Sequence, residues 1–140
     1  MREILFRGKH RDSGNWVEGY YLPLHSVKYL SGKDVYAQIF VEPDEQHPKG
    51  WAVVLPETVG QYTGAIDKNN RKMFEGDIVE DICGGIGTIV YQKDECAFYV
   101  DLGDTYDTVD GKLYTVIGNV YDNSELLEGD NLVEELPWEK

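Results

Sequence analysis

The chain has 140 residues, 41% of them hydrophobic, with 10 Tyr, 3 Trp and 4 Phe, so its composition supports a folded core and excludes a disordered protein. Its net charge is −13 and is uneven, since residues 1–50 hold 7 basic and 7 acidic residues whereas residues 51–140 hold 6 and 19. This balance argues against binding to nucleic acid phosphates or to anionic membranes, because both need clustered Lys and Arg.

The N-terminal part is predicted to form short strands that begin with a β-hairpin. Four runs rich in β-branched and aromatic residues predict these strands: Glu3–Arg7, 16-WVEGYYL-22, 35-VYAQIFV-41 and 51-WAVVL-55. The turn residues of 8-GKHRDSGN-15 join the first two, and the Pro- and Gly-containing segment 42–50 predicts a loop. Pro56 is expected to end the fourth strand, and Thr58–Tyr62 to be extended or a single helical turn.

The C-terminal part is predicted to be a small barrel or sandwich. Asn69 and Asn70 tolerate positive φ, so 67-DKNNR-71 predicts a hairpin turn. Four regularly spaced runs with turn signals between them follow: 72-KMFEGDIVEDI-82, 84-GGIGTIVYQ-92, 96-CAFYVDL-102 and 112-KLYTVIGNVYD-122. The segment 122-DNSELLEGD-130 then predicts one or two helical turns, and residues 131–140 a second short helix or a loose tail.

The acidic loop 101-DLGDTYDTVDGK-112 is the best candidate for a metal site. Asp101, Asp104, Asp107 and Asp110 offer hard oxygen ligands at every third position. A helix–loop–helix calcium site needs alternating ligands, a central Gly and a closing Glu in register, and this loop has none of them. A solvated connection in which Asp supplies turn chemistry is therefore the favoured interpretation.

No other group of residues has the pattern of a catalytic or metal site. Glu75 and Asp77 flank Gly76 at a turn into a strand, where a structural role is favoured over acid–base chemistry. The three His, at positions 10, 25 and 47, lack ligand spacing, and no Ser has a plausible His and Asp companion. The run 84-GGIG-87 favours a tight turn or bulge over a dinucleotide-binding motif.

Compartment and assembly are indicated by the cysteines and by the last residues. Cys83 and Cys96 do not form a disulfide framework, so we expect small thiols, buried or half-buried, in a reducing cytoplasm. No apolar run has the length of a membrane span, and the start MREILFRGK lacks a signal-peptide core.

Trp16 and Trp51 are expected in the core or at its rim. Trp138 either docks on the barrel of its own chain or anchors in a neighbouring subunit, since Trp is enriched at interface anchors. The tail with Leu132, Leu136 and Trp138 is therefore the candidate assembly element.

Three segments resemble the YopX family of phage and prophage proteins: 15-NWVEGYY-21, 57-ETVGQYTGAIDKNNRKMFEGDIVE-80 and 116-VIGNVYDNSELLE-128. They stand in the family's order. The chain departs from the family at 69-NN-70, where Asn-Gly is usual, and at Ser124, where Pro is usual. The resemblance implies an all-β protein with an SH3-like barrel in its C-terminal part and homo-oligomeric assembly, and it supplies no catalytic residues.

We therefore expect an N-terminal β segment over residues 1–56, a YopX-like SH3-type barrel with a short helix over 57–128, and an acidic tail over 129–140. We expect a non-enzymatic, phage-encoded protein of the host cytoplasm that self-assembles and presents a protein-binding surface. It needs no cofactor and binds neither nucleic acid nor membrane directly. Two alternatives stay open: an acidic decoy for a basic host or phage protein, and a metal-dependent module or enzyme that uses the Asp-rich loop.

Overall fold

The computed structural model describes residues 3–21, 27–28 and 35–127, and in this part of the chain the regular structure is almost all β. The all-β prediction is confirmed. Two compact units are present, residues 1–62 (unit 1) and 63–140 (unit 2), and they divide within one long strand. The boundary between the two parts that was predicted from the sequence follows Pro56. The predicted tail, residues 129–140, lies outside the described residues. No helix in the described part is long and apolar enough to cross a membrane.

Unit 1 contains the predicted hairpin and a ring of antiparallel strands. Its strands are β1 Phe6–His10, β2 Trp16–Tyr21, β3 Val27–Lys28, β4 Val35–Phe40 and most of β5 Trp51–Ile66. The strand order is β3-β4-β2-β1-β5, and β4 also pairs with β5. The four strands β1, β2, β4 and β5 therefore form a closed ring, in which each strand pairs with two of the others. Their inward side chains form one core: Val17, Ala37, Ile39, Ala52 and Val54.

Strand β5 does not end at Pro56, as the sequence predicted, but continues to Ile66. The reason is an irregularity in its pairing with β1. Arg7 pairs with Gly60 and Lys9 pairs with Leu55, so residues 56–59 oppose a single residue of β1. The residues of a bulge do not all donate hydrogen bonds to the ladder. A bulge is therefore a position at which a sheet tolerates proline.

Thr58 replaces the hydrogen bonds that this bulge removes. Its side chain is buried, with 4% exposure. The Thr58 hydroxyl accepts a hydrogen bond from the Lys9 backbone N–H at 2.8 Å and donates one to the Leu55 carbonyl at 2.6 Å. The bulge is thus stabilised by one hydroxyl that acts as both donor and acceptor.

Replacing Thr58 by Val should lower the free energy of unfolding by about 1–3 kcal/mol, because the Lys9 N–H and the Leu55 carbonyl lose their partner at constant side-chain shape. Denaturant titration followed by circular dichroism measures the change. Thr108→Val, at an exposed position of a strand in unit 2, is the matched control and should change stability by less than about 0.5 kcal/mol. Equal effects of the two substitutions would contradict this role for Thr58.

Unit 2 is built on a second antiparallel sheet. Its strands are β6 Lys72–Phe74, β7 Asp77–Asp81, β8 Ile86–Gln92, β9 Ala97–Asp101, β10 Tyr106–Thr108 and β11 Tyr114–Asn119. Five of them follow the order β10-β9-β8-β7-β11, while β6 pairs with β5. No ladder between β10 and β11, which would close a barrel, is found among the described residues. The buried core is Met73, Val79, Ile89, Val100 and Tyr114. The predicted helix is present as one turn at 125–127.

A buried carboxylate joins the turn before β6 to strand β11. Asp67 is 4% exposed. Its Oδ1 accepts hydrogen bonds from the backbone N–H groups of Asn69 and Arg71, both at 2.9 Å, and its Oδ2 accepts one from the Val116 N–H, also at 2.9 Å. Asn70 has the positive φ, 66°, that the sequence predicted for this turn. Burial by itself raises the pKa of the Asp67 carboxyl, but the three N–H donors and the charge of Arg71 outweigh it and hold the pKa below its usual value.

Asp67→Asn should lower the free energy of unfolding by about 1.5–3 kcal/mol, because a neutral amide offers one acceptor oxygen to three N–H donors. Since the folded-state pKa is depressed, the stabilisation from Asp67 is complete above the unfolded pKa of about 3.9 and is lost as pH falls through the folded pKa. Unfolding measured from pH 7 to pH 2 should therefore show a smaller loss of stability in the variant.

Asp101→Asn is the control for this experiment. Asp101, the half-buried last residue of β9, accepts one N–H hydrogen bond, from Gly103 at 2.9 Å. We expect it to change stability and its pH dependence little. A wild-type pH profile in the Asp67→Asn variant would contradict the assignment.

Candidate functional site

Glu75 and Asp77 lie at the turn between β6 and β7. Asp77 is the buried carboxylate of this turn, and it accepts a backbone hydrogen bond. Asp77 is 2% exposed, and its Oδ2 accepts a hydrogen bond from the Phe74 N–H at 2.7 Å. Gly76 between them has φ 92°, its N–H donates to the Ile89 carbonyl, and its carbonyl accepts from the Val120 N–H. The segment therefore joins β6, β7, β8 and the end of β11, as expected of a scaffold element.

The aspartates of the loop 101–112 accept hydrogen bonds within the loop and its borders. Asp101 accepts from the Gly103 N–H, Asp110 from the Lys112 N–H, and Asp107 from the Thr108 N–H and the Tyr114 hydroxyl. Burial, and then the hydrogen bond to Asp107, raises the pKa of the Tyr114 phenol. In the described ranges no three His, Cys, Asp or Glu side chains gather as a metal site would require.

The remaining residues singled out from the sequence are separate from one another or not described. Cys83 and Cys96 are both free and exposed, whereas the sequence had favoured partly or fully buried thiols. Both stand in turns, where a side chain is not covered. His25 and the proposed assembly residues Leu132, Leu136 and Trp138 lie outside the described residues, so the assembly role stays a prediction.

Two histidines that the sequence left unassigned meet in unit 1. His10 ends β1, and His47 lies in the loop 42–50 between β4 and β5. Both β1 and β4 pair with β5, so the end of β1 and this loop are brought to the same region: His10 is paired with Val54 and Phe40 with Trp51. The ring centroids of His10 and His47 are 6.1 Å apart. We call the space around these two rings the histidine cleft.

Backbone groups hold the His10 ring in one tautomer. Its Nδ1 accepts hydrogen bonds from the N–H groups of Asp12 and Ser13, each at 3.2 Å. A nitrogen that accepts cannot carry a proton, so the proton of neutral His10 is at Nε2. The tight loop around it is closed by the Gly14 N–H, which donates to the His10 carbonyl, with Gly14 at φ 74°.

A carboxylate favours the opposite tautomer in His47. The Nδ1 of His47 is 3.4 Å from Oδ1 of Asp44, three residues earlier, and the His47 side chain is 17% exposed. A carboxylate beside Nδ1 favours a proton there and leaves Nε2 as an acceptor. The loop that holds this pair is closed by the Gly50 N–H on the His47 carbonyl and by the Val41 N–H on the Gly50 carbonyl.

The histidine cleft consists of two adjoining cavities that share His10, Gln46 and His47. One, of about 250 Å³, is also lined by Pro48, Trp51, Val53 and the charged residues Arg11, Asp12 and Lys49. The other, of about 340 Å³, is also lined by Ser13, Asn15, Trp16 and Val17. Cations stack on both indoles: Arg7 lies 4.7 Å from the Trp16 ring and Lys49 lies 5.9 Å from the Trp51 ring. Trp16 and Trp51 thus stand at a cleft as well as at the rim of the core.

Nitrogen NMR of the imidazoles should show neutral His10 with its proton at Nε2 and neutral His47 with its proton at Nδ1. Asp44→Asn should shift His47 toward the other tautomer, because the negative charge beside Nδ1 is removed, and should leave His10 unchanged. A proton at Nδ1 of His10 would contradict the hydrogen bonds described for that ring.

The folded chain is similar to a solved protein, the crystal structure of protein EF1440 from Enterococcus faecalis. The two share 21% sequence identity, the match covers 91% of this chain and 99% of that one, and the TM-score is 0.54. At this identity the likeness concerns the fold. No curated protein matches the chain. The YopX protein family matches residues 5–128, which is most of the sequence and contains both sheets. The chain therefore belongs to the YopX family.

Proposed function

We propose that this YopX protein is a non-catalytic, phage-encoded scaffold of the host cytoplasm that assembles with its own copies and presents a protein-binding surface. The observation that carries the proposal is an aromatic face on the sheet of unit 2. The proposal is supported by the tyrosine side chains that this face exposes to solvent.

The register of β8, β9 and β10 defines this face. Ile89 pairs with Val100, and both point into the core. Because side chains alternate along a strand, Val90 and its partner Tyr99 point to the other face, with Tyr106 beside them on β10. Tyr99 and Tyr106 pack edge to face with centroids 6.5 Å apart, and Tyr106 is 55% exposed. We call Val90, Tyr99 and Tyr106 the outer aromatic face. Tyr is enriched at protein interfaces, because its ring is apolar and its hydroxyl is wet.

The strand order supports the finer proposal that unit 2 is an SH3-like barrel. Strands β7 to β10 form a meander, and β11 returns beside β7. This arrangement places β7, the first strand of the meander, next to β11, the last strand of the unit, as in a small barrel built from a meander. The short edge strand β10 carries Tyr106, so the sheet edge and the aromatic face meet at one place.

The polar groups buried in both units have structural partners, which supports the non-catalytic part of the proposal. Thr58, Asp67 and Asp77 are buried, and each accepts a backbone N–H hydrogen bond from a turn, a bulge or a strand. The hydrogen bonds of these three groups account for their burial through the fold itself.

Size-exclusion chromatography with light scattering should show the full chain as a defined oligomer. Tyr106→Lys should lower its mass, because a charge on the outer aromatic face must be desolvated in any interface. A chain that ends before Asn131 tests the tail with Leu132, Leu136 and Trp138, and should also assemble less. Tyr20→Lys, the same substitution at an exposed tyrosine of β2, is the control. A full chain that is monomeric and captures no partner would refute the scaffold.

A second candidate function is favoured by the distribution of charge. Unit 1 contains 7 basic and 8 acidic residues, a net charge of −1, whereas unit 2 contains 6 and 18, a net charge of −12. We propose as the alternative that unit 2 imitates a polyanion and occupies a basic host or phage protein. Complexes captured with the full chain should then dissociate steeply between 50 mM and 500 mM salt, because the Debye length falls from about 14 Å to about 4 Å. Salt-insensitive complexes would leave the scaffold as the remaining function.

A further inference from the structure

We infer that the histidine cleft of unit 1 binds a neutral ring bearing hydroxyl groups, that is, a monosaccharide unit. This inference is independent of the scaffold function, because the cleft and the outer aromatic face belong to different units. It rests on the charge of the cleft, on the two imidazoles and on the cleft walls.

The charged groups of the cleft are largely neutralised by each other. Arg11 donates two hydrogen bonds to Asp12, from Nε to Oδ1 at 3.0 Å and from the guanidinium Nη2 to Oδ2 at 3.1 Å. Asp44 stands beside His47. An anionic ligand would face the carboxylates of Asp12 and Asp44 in a unit that has no net positive charge, since unit 1 has a net charge of −1. A cationic ligand would compete with Lys49 for the ring of Trp51. A neutral ligand meets none of these costs.

The two imidazoles are complementary to a hydroxyl group. His10 offers an Nε2–H donor and His47 an Nε2 acceptor, and both rings line both cavities. A hydroxyl both donates and accepts, so the hydroxyl groups of one ligand can satisfy both the His10 donor and the His47 acceptor. Fully deprotonated phosphate and carboxylate groups only accept hydrogen bonds. They therefore satisfy the His10 donor but not the His47 acceptor. Gln46, present in both cavities, adds an amide that can donate and accept.

The walls suit the apolar face of a sugar ring. Trp51, Pro48 and Val53 line one cavity, and Trp16 and Val17 the other. A pyranose presents C–H groups on its ring faces and hydroxyls at its rim, so it combines apolar packing with the polar contacts described above. The cavity of about 250 Å³ lies below the usual range of ligand sites, about 300–1,000 Å³, and the cavity of about 340 Å³ lies at its lower end. Sites of this size fit one or two sugar rings.

Titration of the full chain with glucose, galactose and N-acetylglucosamine, followed by NMR of the His10 and His47 imidazoles, tests the inference. At least one sugar should shift both rings in a saturable way at millimolar concentration. His47→Phe keeps a ring but removes the acceptor, and should weaken binding by roughly tenfold, the factor that corresponds to about 1.4 kcal/mol. Tyr91→Phe, at an exposed position of unit 2, removes a hydroxyl outside the cleft and should leave the affinity unchanged.

Asp44→Asn provides a second variant in case His47→Phe does not fold. It keeps the His47 ring and replaces the carboxylate that favours its tautomer by an amide, whose oxygen can still accept the His47 backbone N–H as Oδ1 of Asp44 does, and it should weaken sugar binding several-fold. Uridine and inorganic phosphate are the competing probes. Binding of either probe in the absence of sugar binding would overturn the inference, and so would the absence of any shift at tens of millimolar sugar. Equal affinity of the wild type and both cleft variants would place the sugar elsewhere and would also overturn it.

Discussion

Unit 2 depends on the hydrogen bonds of the Asp67 carboxylate, because they join chain segments that are 49 residues apart. A buried carboxylate without donors would be costly, and three backbone N–H groups supply what water no longer does. The turn 67–71 thereby fixes where β6 begins, and the Val116 N–H fixes the position of β11. Gly111 completes the arrangement, since a Cβ there would collide with the Ile66 carbonyl.

Unit 1 solves a different problem with a bulge. Strand β5 pairs with β1 on one side and β4 on the other, and Pro56 would interrupt a regular ladder. Residues 56–59 of β5, which oppose one residue of β1, carry the proline out of the ladder, and the buried Thr58 hydroxyl satisfies the groups that lost their partners. The same pairing that needs the bulge brings His10 to His47. The cleft therefore follows from the strand arrangement and not from any local motif.

The two units have different chemical characters, which is consistent with two different roles. Unit 1 has almost no net charge and a polar cleft lined by tryptophan. Unit 2 has nearly all of the net negative charge and an outer face with two exposed or partly exposed tyrosines. A negatively charged surface limits nonspecific association, so contacts through the outer aromatic face need a partner of matching shape and charge.

Much of this protein follows from its sequence alone. The all-β class and the N-terminal hairpin follow from alternating apolar residues, turn signals and the absence of helical periodicity. The family follows from the sequence of residues 57–80. These are local properties: a side-chain period of two, the φ tolerance of Asn70 and the turn chemistry of Asp act within a few residues.

Only the tertiary structure decided the rest. Pro56 within β5, the donors of Asp67 and the meeting of His10 with His47 depend on which strands pair and in which register. Register is set by the burial of whole faces and by contacts between residues far apart in the chain, and no local pattern of the sequence encodes them.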